Sequence, residues 1–124
     1  MFSHVHLGSN DVERARKFYD AIMAALGAEP GTKDPERNRY FYRHDGATLI
    51  VGEPLDGKAA TSSNGLTVGF AVDRPEQGHA WHAAGLANGG TTDCDPPGIR
   101  DRGKVYLAYL RDPDGNKLCA LKFL

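Results

Sequence analysis

Tyr109-Leu110-Arg111-Asp112-Pro113-Asp114-Gly115-Asn116-Lys117-Leu118-Cys119 is the stretch on which the fold turns. Asp-Pro-Asp-Gly is a run of turn formers, and the apolar segments on either side, Lys104 to Leu110 and Leu118 to Phe123, read as two strands folded back on each other. The same device stands earlier in the chain. Tyr40 to Arg43 and Ala47 to Val51 flank Asp45-Gly46, a strong two-residue hairpin signal. Placing Asp45-Gly46 over Asp114-Gly115 sets Ala47 to Val51 against Asn116 to Ala120.

Each hairpin is preceded by a strand and a helix. Phe2 to Leu7 is short and apolar and ends in Gly8-Ser9-Asn10-Asp11, a cluster of turn and cap residues. Val12, Ala15, Phe18, Tyr19, Ile22, Met23 and Leu26 then recur at spacings of three and four, so they share one helix face. Gly27 ends that helix. Leu66 to Val72 is the corresponding second strand. Asp73-Arg74-Pro75 caps a second helix through about Ala87, and Gly89-Gly90 closes it. Asp11 to Gly27 spans 16 positions, as does Asp73 to Gly89. Glu29 to Arg39, Glu53 to Gly65 and Thr91 to Gly103 are polar, rich in Gly and Pro, and read as loops. The chain is therefore a duplicated strand-helix-hairpin unit.

With 124 residues, 40% hydrophobic and 25% charged, it has the size and balance of one folded domain with a single core. Fifteen basic residues against sixteen acidic ones give a net charge of -1 with no basic run, which argues against nucleic acid. Nothing in the composition calls for a membrane. The N-terminus lacks a signal-peptide pattern, and Cys94 and Cys119 stand apart without a CxxC pair, so a cytoplasmic protein without a disulfide is expected.

Strand, Asp11, a helix carrying Phe18-Tyr19 in its second turn, and a late Asp112-Pro113-Asp114-Gly115-Asn116 before the last strand resemble the vicinal-oxygen-chelate superfamily. Glyoxalase I, extradiol dioxygenases and the bleomycin-resistance proteins belong to it. The resemblance implies an α+β fold of two βαβββ modules, whose mixed sheets curl around a cleft and are each backed by one helix. It makes residues 1–124 one glyoxalase-like domain, with a first module to about 55, a connector over about 53–65 and a second module from 66. A homodimer is implied as well.

Metalloenzymes of that superfamily take ligands from the first and last strand of each module. Here the corresponding positions fall on His4, Ile50, Thr67 (give or take one residue) and Cys119. Ile50 has no donor atom and Thr67 is not a usual ligand, so the implied divalent ion (Zn, Ni, Fe or Mn) finds only His4 and Cys119, with His6 on the same strand face as His4. Two functions follow. One is a small-molecule binder with an incomplete metal site; the other is a metal-dependent lyase, like lactoylglutathione lyase, or a dioxygenase-like enzyme using His4 and Cys119. Tyr106 is the expected aromatic lining of the cleft; Tyr109, at an odd separation from it, would face the opposite side. Arg100 and Arg102, on the loop from Asp95 to Arg102, would bind an anionic substrate. His79 and His82 read as half-exposed helix residues beside a packed Trp81.

Overall fold

A computed structural model describes all 124 residues. The elements run β1 (His4–Gly8), α1 (Val12–Ala25), β2 (Thr32–Lys33), β3 (Arg39–His44), β4 (Ala47–Gly52), β5 (Val68–Ala71), α2 (Pro75–Ala87), β6 (Thr91–Thr92), β7 (Gly98–Arg100), β8 (Val105–Arg111) and β9 (Lys117–Phe123). They form two mixed sheets, one ordered β1-β4-β3-β2 and the other β5-β9-β8-β6, with β7 also paired to β8. In each, the first strand runs parallel to the last, a pairing that the intervening helix makes possible. This is the expected α+β architecture of two modules with curled sheets, each backed by one helix.

The apolar stripe of α1 behaves as its spacing demands. Val12, Ala15, Phe18, Tyr19, Ile22 and Met23 are all buried, and the Asp11 carboxylate caps the helix by accepting from the Arg14 N–H at 3.1 Å. Asp45 and Gly46 both take positive φ, which matches the hairpin turn to the twist of β3 and β4. The second helix departs from expectation by one residue. Its N-cap is Arg74, with no side-chain cap bond, and Asp73 instead donates its N–H to Gln77 Oε1. Asp11 to Gly27 therefore corresponds to Arg74 to Gly89, one position shorter, and the equal spacing read from the sequence does not hold. The loops also contain more structure than their composition suggests. β2, β6 and β7 are only two or three residues long, too short to leave a periodic signal, and are held by pairing to β3 and β8.

A single apolar core of 18 buried residues joins both helices and the helix-facing sides of both sheets. It is sealed at one end by the β8–β9 turn. Asp112 Oδ2 accepts from the buried Tyr19 hydroxyl at 2.5 Å and from Asn116 Nδ2 at 2.9 Å, while Oδ1 accepts the N–H groups of Asp114 and Asn116 at 2.9 Å. Asn116 Nδ2 also donates to the Gly8 carbonyl, and Asp114 Oδ1 accepts from Asn10 N–H and Arg14. A turn of the second module is thus bonded directly to the β1–α1 junction of the first.

Candidate functional site

Strand alternation divides each sheet into a helix-covered face and an open one. In the first module Leu7, Tyr40, Tyr42, Leu49 and Val51 belong to the core, which leaves His4, His6, Thr48, Ile50, Arg39, Phe41 and Arg43 on the open face. In the second, Tyr106, Ala108, Leu110, Leu118 and Ala120 belong to the core, so Tyr109, Arg111, Lys117 and Cys119 face the open side with Gly69.

Strand register shows which of these stand side by side. His6 pairs with Ile50 and Ile50 with Phe41; the equivalent row in the second module is Gly69, Cys119 and Tyr109. His4 lies one row further along, beside Thr48, is exposed, and shares a 2.8 Å hydrogen bond with Ser3 through Nδ1. The four register-matched positions are thus His6, Ile50, Gly69 and Cys119, and two of them offer no donor atom. Thr67 precedes β5 and does not join that row. No group of three or more His, Cys, Asp or Glu side chains is placed to hold a metal.

The two donors that remain are poorly prepared for a cation. Burial pushes the Cys119 thiol up, the reverse of what activates a thiolate. Burial, followed by the charges of Arg39 and His4, lowers the pKa of His6 and keeps its imidazole neutral. Its Nε2 is buried without a hydrogen-bond partner in the protein. Cys94 and Cys119 are both free thiols, the first exposed and the second buried.

Tyr106 does not line the open face. It is fully buried on the helix side of β8, with its hydroxyl 2.7 Å from His79 Nδ1 and its ring against Gly78 of α2. Strand parity sends Tyr109 to the open side instead. Arg100 lies in β7, its guanidinium held by the Pro96 carbonyl, and Arg102 sits exposed in the following turn with φ of 53°. Neither is brought into a row with His6 or Cys119. Of the helix histidines, His79 is exposed, whereas His82 is buried and bonds Thr92 through Nε2.

The cations that do stand on the open face come from the strands. Arg39 and Arg43 approach Phe41 from either side, at 5.1 and 4.9 Å from its ring centre. Arg39 is also tied to Asp34 at 2.8 Å, while Arg43 has no carboxylate partner. In the second module Lys117 Nζ lies 5.0 Å from the Tyr109 ring centre. Extending from β1 to β3 and β8 the parity that put His4 and His6 on one face finds Phe41, Arg43 and Tyr109, whereas Arg39 and Lys117 lie just outside the strands expected from the sequence and join β3 and β9 in the structure.

A duplicated unit whose two sheets each present a row of side chains on an open face defines the paired βαβββ class. The chain belongs to the Glyoxalase/Bleomycin resistance protein/Dioxygenase superfamily, whose family model matches residues 1–120. Its structure is similar to that of a glyoxalase/bleomycin resistance protein from Albidiferax ferrireducens T118, at 57% identity over 98% of this chain and 97% of that one, with a TM-score of 0.92. It also resembles a glyoxalase/bleomycin resistance protein/dioxygenase family enzyme from Burkholderia phytofirmans PsJN, at 19% identity over 98% of both chains and a TM-score of 0.75. A lactoylglutathione lyase from Agrobacterium tumefaciens shares the fold at 18% identity, over 98% of this chain and 92% of that one, with a TM-score of 0.68. No curated protein matches. No helix is long and apolar enough to cross a membrane.

Proposed function

We propose that this protein binds a small organic molecule on the open faces of its two sheets and uses no catalytic metal there. The observation that carries this reading is the row His6, Ile50, Gly69, Cys119, in which two positions cannot ligate and the thiol is held protonated. Around that row stand groups suited to a partly aromatic, polar ligand: Phe41 between two guanidinium groups and Tyr109 beside an ammonium. A metal-dependent lyase built on His4 and Cys119 would have one exposed imidazole and one buried thiol. That is too few ligands for an ion that takes three protein donors and an open position.

A thermal-shift screen of small aromatic and anionic compounds tests this function. A true ligand at a hundred times its Kd adds about 2.7 kcal/mol of stability. At least one compound is expected to raise Tm in a saturable way, while Zn, Ni, Fe and Mn salts leave it within about 1 °C. A broad screen without a hit, or a stoichiometric metal that raises Tm, overturns the proposal.

We also propose that two copies associate in a reducing cytoplasm. β1 and β5 each end a sheet with an unpaired edge, and Phe2, Leu66, Phe123 and Leu124 are exposed apolar side chains. Light scattering is expected to return twice the chain mass, and a monomer at working concentration would contradict this.

A further inference from the structure

One cavity beside the second module's row is largely polar. It encloses about 240 Å³ and is lined by Arg111 and Lys117 from β8 and β9, together with Ser63, Asn64 and Thr67 from the connector and the approach to β5. Lys117 forms no ion pair. Arg111 gives its Nε to Asp93 at 2.6 Å and its Nη1 to the Gly115 carbonyl at 3.0 Å, leaving Nη2 without a partner. Asp93 is held below the ordinary carboxylate range, first by the Cys94 side chain and then, against the effect of its own burial, by Arg111, so it is ionised. Two cations against one carboxylate leave one uncompensated positive charge at the cavity. The backbone N–H groups of Ser63, Asn64 and Gly65 donate to no protein acceptor.

Positive charge with several unengaged donors is the chemistry of anion recognition. Arg111 pairs with Lys117 across the hairpin, one alternation away from the Tyr109–Cys119 pair. A ligand anchored in the cavity by a charged end would therefore lay its other end along the Tyr109 ring. We infer that the small molecule bound by this protein carries a carboxylate or phosphate, and that Lys117 and Arg111 receive it. The inference rests on the open-face reading above and deepens it by naming the ligand's charged group and its seat. The arginines of the 95–102 loop are not needed for this role, because two strand residues already supply the charge.

Calorimetric titration of the full chain with phenyl phosphate, benzoate and neutral benzyl alcohol tests the inference. The two anions are expected to bind more tightly than benzyl alcohol, and the stronger of them identifies the anion. K117Q is expected to weaken anion binding about tenfold and benzyl alcohol binding by far less, and K117R to restore most of the anion affinity. Lys117 lies at the start of β9 with its head clear of the core, so K117Q is expected to melt within about 1 °C of the parent. Equal affinity for anions and alcohol overturns the anion assignment but leaves the open-face reading standing, since benzyl alcohol still binds. Anion binding that K117Q does not change overturns the assigned seat. A screen in which no compound binds at all overturns both.

Discussion

Asp112→Ala is expected to destabilise the protein by about 3 kcal/mol, lowering Tm by roughly 10 °C in a circular-dichroism melt. The carboxylate is 4% exposed and serves four donors: the Tyr19 hydroxyl, Asn116 Nδ2, and the N–H groups of Asp114 and Asn116. Alanine strands these donors away from water, and each buried unsatisfied group carries a penalty of about 1–3 kcal/mol before relaxation. It also loosens Asn116, whose side chain reaches the Gly8 carbonyl, and so weakens the junction between modules. A loss below about 1 kcal/mol would show that the turn holds its shape without its carboxylate. D112N separates charge from hydrogen bonding. Burial is the leading influence on Asp112 and raises its pKa, although four donors pull the other way. The folded state therefore holds this proton more tightly than the unfolded chain does. Its contribution to stability is present below the unfolded pKa and is lost as pH rises through the folded one. Melts of wild type and D112N across that range should diverge accordingly, with the wild type losing ground as pH rises.

Gly78→Val is expected to cost about 3 kcal/mol through overpacking. α2 lies against β8 so closely that a Cβ at Gly78 would sit 2.7 Å from Tyr106 Cζ and 2.8 Å from its hydroxyl, with the ring's Cε1 nearer still. That ring is fully buried and tethered to His79, so it has no room to move, and the helix itself must lift. Gly85, seven residues on and facing the same sheet, provides the control. There a Cβ meets the buried Leu110 side chain, nearest at Cδ1 with Cδ2 at 3.2 Å and Cγ at 3.3 Å, and a leucine tip has alternative rotamers that a tethered ring lacks. G85A should therefore cost well under half as much as G78V, by about 1 kcal/mol. Comparable losses in urea melts would mean that the Tyr106 contact does not set the cost at Gly78, since both substitutions raise helix propensity.

The fold was largely legible from residue pattern because its signals are local. Six buried positions of α1 recur at helical spacing, and Asp45-Gly46 adopts the positive φ values its composition announces. The second helix was less clear. Its buried stripe is Gly78, Trp81, His82 and Gly85, and two of those four contribute contact by having no side chain. The cap was misplaced by one residue for a related reason: Asp73 looks like a cap, yet its N–H turns inward to Gln77. Site residues depend on register, which a run of letters does not contain. Counting back from Asp11 singles out His4, while the pairing of β1 with β4 sets His6 beside Ile50. Tyr106 and Tyr109 differ only in which side of one strand they occupy, and that side follows from the packing of α2 against β8.

The bond between Tyr19 and Asp112 joins residues 93 positions apart in the chain, one from each copy of the repeated unit. The corresponding hairpin of the first copy is only Asp45-Gly46 and carries no such anchor, so the two copies are no longer interchangeable. A half-length fragment ending before β5 would leave the Tyr19 hydroxyl without its acceptor and expose the inner side of α1. The second copy thus completes the first, and a fragment carrying the first copy alone is expected to lose its cooperative melt.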